Sequence, residues 1–127
     1  MITPKGETKA YTFEYQGVKG AFWEDREIIA TTFLLAETQD KYNQEAVLDE
    51  LEHFACSKGK KLYITNFCSR SLIDLMDERR YLRDNWKFQT QEGTWQIDVR
   101  YYTPKGFIRE SRLPLVPFVG YNKTEQK

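Results

Sequence analysis

The side chains best suited to chemistry in this chain are three carboxylates that lie far apart in the sequence. Glu14, Asp98 and Glu110 stand in or beside segments with a strand-like pattern, where a carboxylate can serve as a ligand of a divalent cation. Hydrolysis of a phosphodiester by two metal ions needs several carboxylates that hold the ions about 4 Å apart. Glu14 and Asp98 would have to point into one cleft to meet this demand, so a metal-dependent nuclease is the weakest of the functions that the sequence suggests.

Other nucleophiles and metal ligands are sparse. Cys56 and Cys68 lack the spacing of metal ligands, and with His53 as the only histidine a structural zinc site lacks ligands. Cys56 follows His53 by three residues, but no third group is at hand to orient the pair for nucleophilic catalysis. The sequence also has no glycine-rich phosphate loop. We expect no resident cofactor, with Mg²⁺ required only if nuclease activity is present.

Length and charge set limits on the architecture and on the kind of partner. We expect the 127 residues to form a single domain, with an ordered core over about residues 10–120 and a flexible tail over 121–127. Nineteen basic and nineteen acidic residues give a net charge of zero, so the overall charge favours neither nucleic acid nor a membrane surface. The sequence shows no apolar signal segment and no run of about 18 apolar residues, and we expect a cytoplasmic protein with no membrane partner.

Residue patterns predict three strands and a helix in the first half of the chain. Aromatic and polar residues alternate over Tyr11–Tyr15, and apolar or β-branched residues follow at Ala21–Trp23 and Glu27–Leu35, which indicates an antiparallel meander. Asn43 is the predicted N-cap of the next helix and Gly59 its end. One face of that helix collects apolar residues at helical spacing, namely Val47, Leu48, Leu51, Phe54 and Ala55.

The second half of the chain is predicted to give a strand, a helix and then further strands. Leu62–Thr65 indicates a short strand, and a helix is predicted from Ser69 or Ser71 to about Arg83. Three more strands are predicted at Trp86–Thr90, Trp95–Tyr102 and Phe107–Arg109. The order β-β-β-α-β-α-β-β-β indicates an α/β protein whose mixed sheet holds at least one parallel pair, because a strand, a helix and a strand in succession form a crossover.

Four short motifs occur in the order found in a known family. They are Thr12-Phe13-Glu14 in the first strand, Asn66 to Arg70 after the fourth strand, Trp95-Gln96-Ile97-Asp98, and Arg109-Glu110-Ser111 ahead of Leu113-Pro114. Over about residues 12–117 the chain resembles the 3′-to-5′ exonuclease domain of B-family DNA polymerases, in particular those of the small protein-primed polymerases of phages and linear plasmids. The resemblance implies a ribonuclease H-like, exonuclease-like fold.

The resemblance also implies that the family's chemistry is lost. The first acid of the first motif is missing, Arg70 stands where the family has an aspartate, and the family's last carboxylate would lie beyond Lys127. A cation beside Arg70 would meet a like charge that Glu14 alone does not offset. The chain would then be a catalytically inactive exonuclease-like domain of the kind that a phage or a mobile element encodes.

An inactive domain of this family can keep a groove for single-stranded nucleic acid. Bases stack on aromatic rings there, and phosphates contact polar or basic side chains. The resemblance places Asn66, Phe67 and Ser111 at the 3′ end of the bound strand, and Arg70 would add a phosphate contact. Tyr102 is a further candidate, because it and the tyrosine before it point to opposite faces of a sheet. The expected partner is a single-stranded nucleic acid or a replication protein.

Ordinary structural roles and a second function compete with this hypothesis. Asn66 also suits the cap of the second helix, and Phe67 suits the core. Basic residues within 58–61 and 79–83 would form a phosphate-facing patch if the two helix ends lie side by side, and are otherwise a solvated surface. The alternative function is a protein-interaction module or inhibitor that uses an exposed aromatic surface and a strand edge and binds no nucleic acid.

Overall fold

A mixed sheet of seven strands with two helices organises the chain, and the predicted α/β class is confirmed. The computed structural model describes residues 6–36, 41–65 and 70–118. Asn66, Phe67 and the tail 121–127, which carry predictions, lie outside these described residues. The elements are β1 (Lys9–Tyr15), β2 (Val18–Glu24), β3 (Ile28–Ala36), α1 (Lys41–Lys58), β4 (Lys61–Ile64), α2 (Arg70–Glu78), β5 (Leu82–Thr90), β6 (Gly93–Tyr102) and β7 (Val116–Pro117).

The strands lie in the order β5-β6-β4-β3-β2-β1-β7 across the sheet. β1, β2 and β3 form the predicted antiparallel meander, and Gln16 and Gly17, both with positive φ, make the tight turn between the first two strands. β4 pairs with β3 in parallel, with Ala30 opposite Tyr63, and α1 is the crossover between them. β6 is antiparallel to both β4 and β5, so the four-residue β4 joins the meander to the β5–β6 hairpin.

α1 packs one apolar face against the sheet, and all five residues predicted for that face are buried. The helix ends where predicted: Gly59 has a φ of 66°, and the N–H of Lys60 donates to the carbonyl of Ala55 at 3.1 Å, as in a Schellman motif. The predicted cap is wrong, because α1 begins at Lys41 and Asn43 lies inside its first turn. Neither described helix is long and apolar enough to cross a membrane.

α2 is shorter than predicted, because the chain leaves the helix after Glu78. Arg80 has a φ of 60°, and the N–H of Tyr81 donates to the carbonyl of Met76 at 2.9 Å, which closes the helix. Residues 82–83, predicted to end the helix, instead begin β5. Glycine is the usual residue at such a position, so Arg80 gives no signal of a helix end in the sequence.

Both helices cover the same side of the sheet, which we call the helical face. Burial of apolar area between the helices and the strands is the main stabilising contribution to the fold. Tilted aromatic pairs link the meander to α1, with the ring centroids of Phe22 and Phe54 5.2 Å apart. The buried cluster on this face also includes Phe13, Val18, Ile29, Val47, Leu48, Leu51, Leu62, Ile64, Leu72, Leu75, Met76, Tyr81 and Leu113.

The opposite side of the sheet carries a second, smaller core and none of the described helices. Trp86 of β5 is only 5% exposed and packs with Ala30 and Val99, and its ring centroid lies 6.5 Å from that of Trp23 on β2. In a flat sheet, four strand spacings of about 4.8 Å would hold β5 about 19 Å from β2. The β5–β6 hairpin therefore curls over this side, which we call the aromatic face and define by Trp23, Tyr63, Trp86 and Tyr101.

The chain passes from β6 to β7 as an irregular segment, residues 103–115, which we call the strap. The strand predicted at Phe107–Arg109 is therefore wrong, because this segment is held by a helix rather than by a neighbouring strand. The guanidinium of Arg109 donates to both carboxylate oxygens of Glu50 on α1, at 3.0 and 2.6 Å, and the N–H of Arg112 donates to the same carboxylate at 2.6 Å. β7 then pairs with β1 at the sheet edge, the position that Pro117 requires.

We expect Glu50→Gln to destabilise the protein at neutral pH and to do so less as the pH falls. The hydrogen bond from Arg109 lowers the pKa of Glu50 below its ordinary value of 4.5, although burial acts in the opposite direction. Because the pKa of Glu50 is lower in the folded protein, its ionised carboxylate stabilises the fold at pH values above 4.5. This stabilisation is lost as the pH falls through the folded-state pKa. Urea unfolding should show a loss of roughly 1–2 kcal/mol at about pH 7, shrinking toward about pH 3.

Glu110→Gln is the matched control, because Glu110 is an exposed acid in the same strap. We expect its unfolding curves to follow those of the wild type at both pH values. A loss of stability in Glu50→Gln that is the same at both pH values would show that the charge of Glu50 does not hold the strap.

Candidate nucleic-acid interface

The structure does not bring together Glu14 and Asp98, the first two acids considered for metal binding. The carboxylate of Glu14 on β1 lies 3.6 Å from the ammonium of Lys19. Its neighbours Phe13 and Tyr15 point to the helical face, so Glu14 points to the opposite side of the sheet. Asp98 on β6 alternates with Ile97 and Val99, which belong to the second core, and so points to the helical side. In addition, β1 and β6 are four strand spacings apart, which is about 19 Å measured along the sheet.

The other two charged candidates lie in separate parts of the molecule. Glu110 is exposed in the strap. Arg70 is exposed at the first residue of α2, where its side chain pairs with Asp74 one turn later at 3.3 Å. Among the described residues, no group of three or more His, Cys, Asp and Glu side chains could hold a metal ion.

Ser111 and Tyr102 also lie away from the aromatic face. The Oγ of Ser111 accepts a hydrogen bond from the backbone of the strap itself at 3.2 Å. Tyr102 packs its ring on Tyr81, with the centroids 5.7 Å apart, and its hydroxyl lies 3.5 Å from the Sγ of Cys56 on α1. Tyr101 takes the other side of the sheet, as expected for adjacent strand residues, and it is the tyrosine of this pair that a ligand on the aromatic face would meet.

A cleft of about 570 Å³ lies at the end of the sheet where β3 and β4 begin. Three segments enclose it: the β2–β3 turn, the α1–β4 turn and the first residues of the strap. Arg26, Lys58 and Lys61 line it with exposed side chains, together with Lys60, and among the described lining residues Glu27 is the only acid. We call it the basic cleft, and its charge favours an anionic ligand.

Lys60 fixes two of the three segments around the basic cleft. Its ammonium donates to the buried carboxylate of Glu24 at 2.7 Å and to the carbonyl of Asp25 at 2.6 Å. The carboxylate of Asp25 in turn accepts from the N–H groups of Glu27 and Ile28, at 2.7 and 2.8 Å, and so shapes the β2–β3 turn. Lys60 is thus a structural cation that Glu24 neutralises. The ammonium of Lys58 lies 3.9 Å from the same carboxylate, whereas the exposed side chains of Arg26 and Lys61 face solvent.

Two tyrosine rings continue the basic cleft onto the aromatic face. Tyr63 lines the cleft and stacks on Tyr101, with the centroids 5.1 Å apart and 27° between the ring planes. The ammonium of Lys61 lies 5.2 Å from the centroid of Tyr101, within the range of a cation–π interaction. The ring of Trp86 lies 5.0 Å behind that of Tyr63. Burial and then the charge of Asp84 raise the pKa of Tyr63, so its hydroxyl stays protonated at neutral pH.

The predicted basic patch over the two helix ends is broken by ion pairs. Arg79 lies between three carboxylates of α1, at 2.6 to 3.6 Å, which belong to Glu45, Asp49 and Glu52. Its guanidinium therefore links α2 to α1 and is not available to a phosphate. The lysines of the α1–β4 turn are the part of the predicted patch that lines the basic cleft.

Sequence reasoning missed the side chains that other segments bring to the basic cleft and to the adjoining aromatic face. Arg26 lies in a turn, and Tyr101 and Asp84 come from strands far along the chain. Lys61 and Tyr63 gave a usable signal, because residues two apart in a strand lie on the same face. The missing information was the pairing of β4 with β6, which sets Tyr63 directly opposite Tyr101.

Comparisons with protein-family models, with curated proteins and with solved structures found no match. The geometry and the charges of the basic cleft and the aromatic face are therefore the basis for assigning a function. They describe a cleft lined by basic side chains that is continuous with stacked aromatic rings.

We expect the protein to leave a labelled single-stranded oligonucleotide uncut in Mg²⁺ or Mn²⁺, because Glu14 and Asp98 stand on opposite sides of the sheet. A denaturing gel after long incubation measures this. Cleavage that disappears in Glu14→Ala and persists in Glu92→Ala, an exposed acid at the hairpin turn, would contradict the geometric argument.

Proposed function

We propose that the protein is a non-catalytic domain that binds single-stranded nucleic acid at the basic cleft and the adjoining aromatic face. Arg26, Lys58 and Lys61 would contact phosphates, and bases would pack on the exposed side of the Tyr63–Tyr101 stack. The observation that carries this proposal is the position of Lys61, which lines the cleft and lies over the ring of Tyr101.

The chemistry of the site favours a single strand over a small anion. A free phosphate would use the cations alone, whereas the half-buried tyrosine stack offers an apolar surface next to them. Bases have a π-face that stacks on aromatic rings with little dependence on sequence, and this stacking requires bases that are not paired. A cation beside a ring therefore suits a ligand that alternates phosphates and bases.

We also propose that the domain is exonuclease-like in origin, as the motifs suggest, and that a replication protein is a further possible partner. The order of elements along the chain supports a ribonuclease H-like origin, and nothing in the pairing of the strands adds to that support. The distance between Glu14 and Asp98 supports the absence of catalysis. Binding at the basic cleft does not depend on this origin.

A second candidate function is a protein-interaction module. Four large apolar side chains in the strap, in β7 and just after β7 are more than half exposed: Phe107, Ile108, Val116 and Phe118. An apolar interface of this kind would bury these side chains and would respond weakly to salt. The salt dependence of binding therefore separates the two functions.

We expect binding of a fluorescent single-stranded oligonucleotide to weaken steeply with salt. Three phosphate contacts give a slope of about −2 for log K against log salt, or roughly a 20-fold loss of affinity between about 50 and 200 mM. Fluorescence anisotropy at several salt concentrations measures the slope. Salt-independent binding, or no binding at low salt, would overturn the proposal and favour the protein-interaction module.

Lys61→Ala should lower the affinity several-fold and reduce the magnitude of the salt slope by about 0.7. Lys87→Ala is the matched control, since Lys87 is an exposed lysine on β5 that alternates with Trp86 and therefore points away from the aromatic face. We expect Lys87→Ala to keep the wild-type slope. Equal slopes for the two variants would place the phosphates away from the basic cleft.

Asp84→Asn should tighten binding. Asp84 is on the same side of β5 as Trp86, and its negative charge acts on Tyr63 and would repel a phosphate there. Removing one like charge next to the site should raise the affinity about two- to fivefold at low salt, with a smaller gain at high salt. A gain in affinity is hard to obtain from damage to the fold, so an unchanged or lower affinity would count against this site.

A further inference from the structure

We propose that the bound strand runs along β6 from the basic cleft to the β5–β6 hairpin turn and stacks a base on Trp95. This inference rests on the proposed function and adds the path and the minimum length of the ligand. Its central observation is an exposed tryptophan on the same side of the strand as Tyr101.

Alternation along β6 sets the direction of the path. Tyr101, Val99, Ile97 and Trp95 are spaced by two residues, so their side chains leave the strand on the aromatic face. Val99 and Ile97 belong to the second core, while Trp95 is 56% exposed. Along β6, a ligand on the aromatic face would thus meet the ring of Tyr101 next to the basic cleft and the ring of Trp95 at the other end of the strand.

The ring of Trp95 is held in position rather than free to rotate. Its Nε1 donates to the Oγ1 of Thr90 at 3.1 Å, and the same oxygen donates to the carbonyl of Gly93 at 3.1 Å. The backbone N–H of Glu92 also donates to that oxygen, at 3.2 Å, so three hydrogen bonds of the Thr90 hydroxyl hold the hairpin turn together. A tryptophan whose polar atom is satisfied within its own turn leaves its ring surface for an external contact.

The distance between the two rings sets the length of the ligand. Six residues of antiparallel strand separate Tyr101 from Trp95, which is about 20 Å at about 3.4 Å per residue. A single-stranded nucleic acid with stacked bases rises about 3.4 Å per nucleotide and needs roughly six nucleotides to cover this distance, while an unstacked, extended nucleic acid needs fewer. A trinucleotide at the basic cleft would not reach Trp95.

The charges along the path favour a nucleic acid over an apolar peptide. The cations lie at the cleft, where a polyanion gains most. Between Tyr101 and Trp95, Ile97 presents a half-buried apolar side chain and Val99 is buried, and the half-buried Phe88 lies opposite Trp95 on β5. Asp84 is the one described acid of β5 on this side, and it lies near the cleft rather than near Trp95. Bases rather than phosphates would therefore face β6 along most of the path.

The test compares Trp95→Ala with the wild type on oligothymidylates of three and twelve nucleotides. Loss of one stacked base should lower the affinity for the twelve-nucleotide strand roughly tenfold and leave that for the three-nucleotide strand unchanged. Phe118→Ala is the matched control, because Phe118 is 54% exposed and follows β7, at the opposite edge of the sheet from the hairpin. We expect it to match the wild type on both lengths.

Failure of the inference and failure of the proposed function give different results. If neither oligonucleotide binds the wild type, both are overturned. If binding is salt-sensitive and weakened by Lys61→Ala but Trp95→Ala matches the wild type on twelve nucleotides, the path along β6 is wrong and the cleft stands. An equal loss on both lengths also overturns the path, since it shows that Trp95 does not contact the distal part of the strand.

Discussion

The parallel pairing of β4 with β3 is the constraint on which the rest of the structure depends. A parallel neighbour can be reached only by a crossover, and α1 makes that crossover on one side of the sheet. α2 joins α1 there, so the helices protect one face and leave the other to the strands. β4 has four residues and serves both sides: Leu62 and Ile64 are buried under the helices, while Lys61 and Tyr63 line the basic cleft.

One-sided coverage would leave large aromatic rings exposed, and the curl of the β5–β6 hairpin reduces this exposure. Trp86 packs over Ala30, whose methyl group leaves room for an indole between Trp23 and Tyr63. A larger residue at this place on β3 would push the hairpin away from the sheet. The same packing gives the tyrosine stack a firm support, because Trp86 stands directly behind Tyr63. The second core is therefore both a stabilising contact and the base of the proposed interface.

The sequence predicts the elements well where local pattern decides them and poorly where a distant partner decides them. The apolar face of α1 and its end at Gly59 follow from helical spacing and from the need for a positive φ. The end of α2 was missed because Arg80 occupies the left-handed conformation that glycine usually takes. The sequence wrongly predicts a strand at Phe107–Arg109 within the strap, because the attachment of the strap depends on Glu50. This residue lies about sixty positions earlier, and the residue pattern of the strap does not reveal it.

The same division explains why the predicted site residues differ from the residues that line the basic cleft. Motif order pointed to Ser111, Tyr102 and Arg70, whereas the cleft assembles from three segments that meet only in the folded chain. Alternation along β4 predicts that Lys61 and Tyr63 share a face of the sheet. The position of Tyr101 beside them depends on the register between β4 and β6, which the sequence does not reveal.

Although the net charge of the chain is zero, its charges are unevenly distributed between the helical side and the basic cleft. On the helical side, three carboxylates of α1 surround Arg79, and Glu50 binds Arg109, so both guanidinium groups are neutralised within the fold. At the basic cleft the cations outnumber the acids. Four basic side chains line it, those of Arg26, Lys58, Lys60 and Lys61, whereas Glu27 is the only acid among the described lining residues. Glu24 beside the cleft pairs with Lys60 at 2.7 Å and lies 3.9 Å from Lys58. The electrostatic field that a ligand meets is set by the local excess of positive charge within a Debye length of about 8 Å, and not by the total charge of the chain. A neutral protein can therefore attract a polyanion to one end of its sheet, and the salt dependence of binding reports the number of cations there rather than the charge of the chain.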